Sequence, residues 1–285
     1  MPKKNRYAVI GHPIAHSLSP FIHALFAAQT GEAITYEAID GGGDDGGFER
    51  VLADFWAAGG CGANVTLPFK LRALQCADEA SAEARAAGAA NALRRVDGRI
   101  EAHNFDGAGL VRDLAAHGCT LAGARVLLLG AGGAARGALL PLALAGAARI
   151  VVANRTAQRA QQLVQELAAH LPASAQLAAC ALGDVSGAFD VVVNATSASL
   201  DGAAPAVPAA AFAPQALAYD RVYGKGLTPC LALAQSAGAR CADGLGMLVE
   251  QAAASFAWWC GVQPDAAAAR VQVQRHLAQQ GVAVL

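Results

Sequence analysis

Three features that mark other protein classes are scarce in this sequence of 285 residues: charge, paired cysteines and long apolar runs. Charged residues make up 15% and hydrophobic residues 55% of the chain, which is typical of a globular protein and excludes a disordered one. The formal net charge of −1 offers no general surface for a polyanion, so we expect no nucleic-acid partner.

The seven cysteines are scattered along the chain and form no C-x-x-C pair. An odd number of isolated cysteines indicates reduced thiols, and hence a cytoplasmic protein in which most of them fill small spaces of the core. The histidines show no spacing with cysteines or acidic residues that is typical of a metal site, so we expect no bound metal.

Only one stretch, Leu121 to Val152, resembles a membrane span, and three arginines interrupt it. The apolar run that follows the first basic residues, Tyr7 to Ile10, is too short for a signal peptide. We therefore expect no membrane partner. A small molecule is the expected partner, bound by a monomer or a homodimer.

The middle of the chain has the pattern of a βαβ unit. Ala124 to Gly130 reads as a buried strand, and a glycine-rich turn, Gly130 to Gly137, follows at once. An Ala/Leu-rich helix then extends to about Ala145, and a second strand covers Arg149 to Ala153. Strand, glycine-rich turn and helix in this order predict a Rossmann-type dinucleotide site.

Each small residue of the turn has a role in such a site. Gly130 allows the tight turn, Gly132 lets backbone N–H groups approach a pyrophosphate, and Ala135 is small enough for helix–strand packing. The pyrophosphate is expected at the helix N-terminus, where free N–H groups and the helix dipole favour an anion. The expected cofactor-binding residues of the turn are Gly130, Ala131, Gly132, Gly133 and Ala134.

The end of the second strand predicts which dinucleotide binds. NAD sites usually place a carboxylate there for the ribose 2′-hydroxyl, whereas arginine suits a 2′-phosphate. Here the position is Asn154, followed by Arg155, Thr156 and Arg159. Two guanidinium groups without a carboxylate favour NADP(H). A purely structural turn with solvated arginines is the alternative.

Strands and helices alternate on both sides of this unit, which predicts an α/β fold with parallel or mixed sheets. We expect an N-terminal α/β substrate domain of residues 1–105 with 244–285, since the C-terminal helices return to it. The inserted NADP-binding, Rossmann-like domain would cover residues 106–243, with the active site in the cleft between the domains.

Several motifs, in this order, resemble those of the shikimate dehydrogenase family over nearly the whole chain. They include Asn-Val-Thr-Leu-Pro-Phe-Lys ending at Lys70, Asn-Phe-Asp at residues 104–106, and Gly-Met-Leu-Val-Glu-Gln ending at Gln251. The resemblance implies NADPH-dependent reduction of 3-dehydroshikimate to shikimate, within aromatic amino-acid and chorismate biosynthesis.

The resemblance also implies roles for single residues. Lys70 and Asp106 would be catalytic, and elementary chemistry agrees, because reducing a ketone requires a proton donor that also stabilises the developing oxyanion. Ser17 and Ser19 would bind the substrate carboxylate, although Ser19 is also a ready N-cap for the helix that Pro20 opens. The remaining implied ligands are Thr66, Asn91, Tyr223 and Gln251 for the substrate and Gly244 near the nicotinamide.

Three positions depart from the family pattern. Phe105 stands where the family usually has threonine, Ala92 follows Asn91 where threonine is common, and Arg221 stands where an apolar residue near the cofactor is usual. Phe105 is compatible with a second hypothesis, a quinate/shikimate dehydrogenase paralogue with altered substrate preference. A third hypothesis is a ligand-sensing relative without catalysis, which the presence of Lys70 and Asp106 disfavours.

Overall fold

Two sheets organise the chain, and each forms the centre of its own compact unit. The structure, a computed structural model, describes residues 4–43, 46–203 and 205–285. The first unit contains the chain up to Gly109 together with Val249–Val273, and the second contains Leu110–Leu248 together with Gln274–Leu285.

The sheet of the first unit is mixed and has the strand order β2-β1-β3-β5-β6-β4. Its central strands pair in parallel, whereas β5 pairs antiparallel with both β3 and β6. Asp97 and Gly98 turn the chain between β5 and β6 with positive φ angles of 50° and 84°. The strands are β1 (Asn5–Gly11), β2 (Ile34–Asp40), β3 (Gly60–Val65), β4 (Glu79–Ala80), β5 (Ala92–Val96) and β6 (Arg99–His103).

The first helices alternate with these strands, as the periodicity predicts. Apolar side chains of α2 and of the sheet, among them Phe48, Leu52 and Ile10, form one buried core cluster. Trp259 stacks on the buried ring of Tyr7, with the ring centroids 4.8 Å apart. The helices are α1 (Ser19–Thr30), α2 (Gly47–Ala57), α3 (Lys70–Gln75), α4 (Ala82–Ala87) and α5 (Asp106–Ala116).

The sheet of the second unit is wholly parallel, with the order β12-β11-β10-β7-β8-β9. Its strands are β7 (Arg125–Leu129), β8 (Arg149–Asn154), β9 (Gln176–Ala181), β10 (Phe189–Asn194), β11 (Phe212–Asp220) and β12 (Arg240–Asp243). The helices that follow α5 are α6 (Gly133–Leu144), α7 (Ala157–Ala168), α8 (Pro229–Ser236), α9 (Leu245–Cys260) and α10 (Ala266–Gln279). This is the α/β architecture that the alternating pattern predicts.

The register of this parallel sheet brings four strand ends to one edge. Leu129 pairs with Asn194, Asn194 pairs with Asp220, and Asp220 pairs with Asp243. The residues directly after these strands therefore lie side by side. In open α/β sheets this carboxyl edge is where ligands bind.

All seven cysteines are free thiols, and Cys230 is buried in the core of the second unit. Within the described ranges, no helix combines the length and hydropathy that crossing a membrane requires. The same residues contain no cluster of histidine, cysteine and acidic side chains suited to a metal ion.

Candidate active site

Lys70 and Asp106 form a short ion pair in the first unit. Lys70 Nζ donates to Asp106 Oδ2 at 2.6 Å, and 24% and 18% of the two side chains are exposed. Each residue begins a helix, α3 and α5 respectively, so the Asp106 carboxylate also lies where the helix dipole favours negative charge. Partial shielding makes this pair stronger than an exposed surface pair.

Asn91 holds the other oxygen of the Asp106 carboxylate. Its side-chain N–H group donates to Asp106 Oδ1 at 2.8 Å and to Gln251 Oε1 at 3.1 Å. Its Oδ1 accepts the backbone N–H of Phe105 at 2.8 Å. Asn91 is 2% exposed, so both ends of its amide are fixed inside the protein. Four of the implied site residues therefore form one network.

The Lys70 backbone is anchored on both sides. The N–H of Phe69 donates to the carbonyl oxygen of Thr66, which closes the turn after β3. The carbonyl oxygen of Lys70 accepts the N–H of Ala90 at 2.8 Å. The Phe69 ring stacks on Phe48 at 4.9 Å and is buried. The sequence Pro-Phe-Lys thus places an apolar anchor directly before the ammonium group.

The expectation that Ser19 caps α1 is wrong. Ser19 is the first helical residue, and Leu18 occupies the N-cap without a side-chain hydrogen bond. The hydroxyl of Ser17 instead accepts the N–H of Ser19 at 3.3 Å. Ser19 is buried, and its hydroxyl hydrogen-bonds with the side chain of Tyr36. Ser19 therefore does not cap the N-terminus of α1.

A half-buried tyrosine and a buried asparagine, Tyr36 and Asn64, connect Ser19 to the Asn91 network. Tyr36 donates its hydroxyl to Asn64 Oδ1 at 2.8 Å. Asn64 in turn donates to the carbonyl oxygen of Asn91 at 3.1 Å and to the Ser255 hydroxyl at 2.9 Å. Asn64 belongs to the motif that ends at Lys70 and lies in the buried strand β3. A polar residue inside a strand that reads as buried was the only signal in the sequence that Asn64 needs hydrogen-bond partners.

Thr66 and Ser17 keep hydroxyl groups available. Thr66 is half-buried directly after β3, and its hydroxyl makes no hydrogen bond with any residue that the structure describes. Ser17 is also half-buried and accepts one backbone N–H. Both can therefore donate to a ligand oxygen.

Phe105 packs its ring within the protein. The ring stacks on His103 at 3.9 Å and meets Trp258 edge-on at 5.7 Å. Burial lowers the pKa of His103, which makes it a neutral stacking partner at pH 7. The side chain of Phe105 is thus held in an aromatic cluster, while the backbone N–H of Phe105 donates to Asn91.

The glycine-rich turn of the second unit has the conformation that its motif predicts. Gly130 has a φ of 103°, and a Cβ there would approach the carbonyl oxygen of Ala195 to 3.2 Å. Gly132 caps α6, and a Cβ on Gly132 or Gly133 would meet nothing within 4 Å. Ala135 is fully buried. The helix N-terminus therefore presents open backbone N–H groups.

Two exposed arginines follow β8. Asn154 ends the strand and donates its amide to the carbonyl oxygen of Thr156 at 2.9 Å. Arg155 and Arg159 are exposed, and neither forms an ion pair with a carboxylate of the described chain. Ala131, in the glycine-rich turn after β7, and Ala134, in the first turn of α6, are half-buried.

Tyr223 and Gly244 lie just after β11 and β12 respectively. Burial and the nearby Asp243 carboxylate raise the pKa of Tyr223, so its half-buried hydroxyl stays protonated. A Cβ on Gly244 would overlap the carbonyl oxygen of Arg221, so only glycine fits there. Half-buried Arg221 has two buried donors, Nε and Nη1, without partners among the described residues.

The carboxylate of Asp220 links several segments at the carboxyl edge of the second sheet by hydrogen bonds, and the sequence did not indicate this role. Asp220 is fully buried, and its Oδ2 accepts hydrogen bonds from Asn194 at 3.1 Å, Ser199 at 2.5 Å and Thr228 at 2.7 Å. Donors from three chain segments thus converge on one carboxylate at the ends of β10 and β11. Their separation in sequence hides this arrangement.

Comparison with known families matches three stretches of the chain. Residues 9–93 match the shikimate dehydrogenase substrate binding domain, residues 113–201 match shikimate / quinate 5-dehydrogenase, and residues 244–274 match the shikimate 5′-dehydrogenase C-terminal domain. A protein named shikimate dehydrogenase (NADP(+)), from Bordetella avium, is 51% identical over 279 residues and 97% of each chain.

The chain belongs to the shikimate dehydrogenase family. Two solved structures are similar to this chain in sequence and fold. An Ael1 enzyme from Pseudomonas putida is 51% identical, with a TM-score of 0.87 over 94% of this chain and 98% of that one. Shikimate 5-dehydrogenase from Thermus thermophilus, solved with NADP(H) and shikimate, is 36% identical, with a TM-score of 0.83 over 95% and 99%.

Proposed function

We propose that this protein catalyses the reversible, NADPH-dependent reduction of 3-dehydroshikimate to shikimate, a step toward chorismate and the aromatic amino acids. The observation that carries the proposal is the Lys70–Asp106–Asn91–Gln251 network, combined with a dinucleotide turn and the two exposed arginines after β8. Relatives about 50% identical over nearly the whole chain are named for this NADP-dependent activity.

The first unit binds the substrate in this proposal. Ser17 and Ser19 bind the carboxylate of the substrate with their hydroxyls. The half-buried Ser17 hydroxyl can donate to it directly, and the Ser19 O–H turns from the Tyr36 oxygen to the carboxylate when the substrate is bound. Thr66, Asn91 and Gln251 bind the hydroxyl groups of the ring, together with Tyr223 of the second unit. All of these side chains can donate or accept hydrogen bonds while neutral, as recognition of a polyhydroxylated ring requires.

Lys70 and Asp106 act on the reacting oxygen. The bound cofactor supplies the hydride. The Lys70 ammonium stabilises the negative charge that develops on the substrate oxygen and delivers the proton that completes the alcohol. Asp106 orients the ammonium through its 2.6 Å hydrogen bond, while Asn91 keeps the carboxylate from turning. In the oxidation of shikimate, Lys70 receives the proton back.

The second unit fits NADP(H) by three observations. Gly130 has the left-handed backbone of the tight turn, and the space beside Gly132 and Gly133 is open for a pyrophosphate. Arg155 and Arg159 are free of carboxylate partners in the described chain, and they with Asn154 and Thr156 hold the 2′-phosphate. Gly244 lets the nicotinamide approach the backbone closely.

The protein works in the cytoplasm in this proposal, where its seven free cysteines stay reduced. The substrate domain consists of residues 1–105 with 244–285, and the NADP-binding domain consists of residues 106–243.

Initial rates with shikimate and quinate, each with NADP⁺ and NAD⁺, test the function. We expect a strong rate with shikimate and NADP⁺ and a rate lower by orders of magnitude with quinate or NAD⁺. Activity with quinate alone would contradict the substrate assignment and favour the paralogue with altered preference. Absence of all four activities, in protein that still binds shikimate, would favour the ligand-sensing relative.

A further inference from the structure

Arg221 directly follows β11, and its guanidinium has buried donors without acceptors. Nε and Nη1 are both buried, and neither donates to any residue within the described ranges. The Arg221 backbone is fixed, because its N–H donates to the carbonyl oxygen of Asn194 at 3.2 Å and Gly244 packs against its carbonyl group. Buried donors on a charged group are unfavourable without acceptors, so this arrangement points to a ligand that supplies them.

The position of Arg221 in the sheet indicates which ligand. Because β7, β10, β11 and β12 end in register, the residues that follow them form a row along the carboxyl edge. Gly130, Ala195, Arg221 and Gly244 occupy this row in that order. Gly130 and Ala195 are close enough that a Cβ on the glycine would lie 3.2 Å from the alanine carbonyl oxygen. Arg221 therefore lies two strands from the glycine turn, about 10 Å away.

The strand order assigns the two halves of a dinucleotide to opposite sides of the turn. On one side of β7 lies β8, with Asn154, Arg155 and Arg159 as the 2′-phosphate residues of the adenosine half. With the pyrophosphate at the N-terminus of α6, the other half extends over β10 toward β11. Arg221 lies on that path, and Arg155 does not.

We propose that the Arg221 guanidinium donates hydrogen bonds to the nicotinamide half of the cofactor, to the ribose hydroxyls or the carboxamide oxygen. The inference rests on the proposed NADP(H) function and adds a polar contact from a position where the family usually has an apolar residue. Both ligand groups are neutral acceptors that lie beyond the pyrophosphate. A guanidinium fork matches such neighbouring acceptors geometrically.

Binding titrations separate the two halves of the cofactor without relying on turnover. The variant Arg221→Met keeps much of the side-chain length and removes every donor. We expect its affinity for NADPH to fall about 10-fold to 100-fold, as for the loss of a hydrogen bond from a charged donor. Its affinity for 2′-phosphoadenosine 5′-diphosphate, which contains the pyrophosphate but neither the nicotinamide nor its ribose, should stay within about twofold by the same reasoning.

The matched control is Arg149→Met, because Arg149 is an exposed arginine that begins β8 at the opposite edge of the same sheet. It should bind both ligands as the unsubstituted protein does. Without ligand, Arg221→Met should melt at the same or a higher temperature, since it removes unpaired buried donors.

Three outcomes would overturn the assignment or its premise. An equal loss of affinity for both ligands in Arg221→Met would place the acceptor on the pyrophosphate instead. Unchanged affinity for both would show that Arg221 does not bind the cofactor. Failure of the unsubstituted protein to bind either ligand would overturn the proposed function itself, independently of Arg221.

Discussion

Asn91 Nδ2 lies 2.8 Å from Asp106 Oδ1, on the carboxylate oxygen that Lys70 does not use. The carboxylate thus has one neutral and one charged donor, one on each oxygen. Because the Asn91 amide is itself held by Gln251 and by the backbone of Phe105, the direction of the Lys70 ammonium is set by contacts across the first unit.

Replacing Lys70 by alanine should lower turnover by about 10²-fold to 10⁴-fold, the usual contribution of a positioned acid–base group. The helix that Lys70 begins is short and partly exposed, so circular dichroism should show an unchanged fold. Lys4→Ala serves as the control, because Lys4 is exposed before β1. Near-normal turnover of the Lys70 variant would remove this residue from the mechanism.

The Tyr36 hydroxyl should matter for substrate binding more than for chemistry. In Tyr36→Phe, Ser19 loses its side-chain partner and the buried Asn64 loses a donor to Oδ1. We expect KM for shikimate to rise about tenfold with kcat little changed, because the loss amounts to roughly one hydrogen bond. Tyr7→Phe is the matched control, since among the described residues the Tyr7 hydroxyl has one hydrogen-bond partner, the thiol of Cys260 at 3.9 Å. An equal rise of KM in both variants would contradict the role of Tyr36.

The preference for NADP⁺ should depend on Arg155. Its replacement by glutamine should weaken NADP⁺ binding about 10-fold to 100-fold, because a charge-assisted hydrogen bond to phosphate is lost. Binding of NAD⁺, which has no 2′-phosphate, should be unaffected. Calorimetric titration of Arg149→Gln, at the other end of β8, gives the control for an altered surface charge. Equal loss for both dinucleotides would place Arg155 away from the 2′-phosphate.

His23 should make the first unit sensitive to acid. Burial lowers the pKa of His23 from 6.5 to about 3, although nearby Asn64 partly opposes the shift. Between these pH values the unfolded chain binds a proton that the folded chain does not, so stability falls as the pH falls below about 6.5. From pH 7.0 to 5.5 this residue should cost about 1 kcal/mol of the free energy of unfolding.

The measurement is urea unfolding followed by tryptophan fluorescence, because all three tryptophans, Trp56, Trp258 and Trp259, lie in the first unit. His23→Phe should lose this part of the pH dependence, whereas His170→Phe, at an exposed position, should keep it. An unchanged pH dependence in the His23 variant would show that other groups cause it.

The nucleotide turn was predictable from the sequence because its determinants are local. Gly130 needs a left-handed backbone, Ala135 must fit against the sheet, and both lie within six positions of each other. Strand, turn and helix signals were contiguous, so pattern alone predicted the turn and the parallel strand pair that surrounds it.

The polar networks were not predictable, since their partners are distant in sequence. Asn64 bonds to Tyr36 and Ser255, which are 28 and 191 positions away, and no periodicity reports such contacts. The error at Ser19 has a related cause: a serine before proline reads as an N-cap, yet here a tertiary contact to Tyr36 holds its hydroxyl.

Cys230 lies in the core of the second unit, where 2% of it is exposed. Burial raises the pKa of its thiol to about 12, so almost no thiolate exists at neutral pH while that unit is closed. An alkylating reagent can modify Cys230 only when the unit opens. The rate at which Cys230 is alkylated, followed by site-resolved mass spectrometry, therefore reports how often the proposed cofactor-binding unit opens. The measurement needs no introduced label.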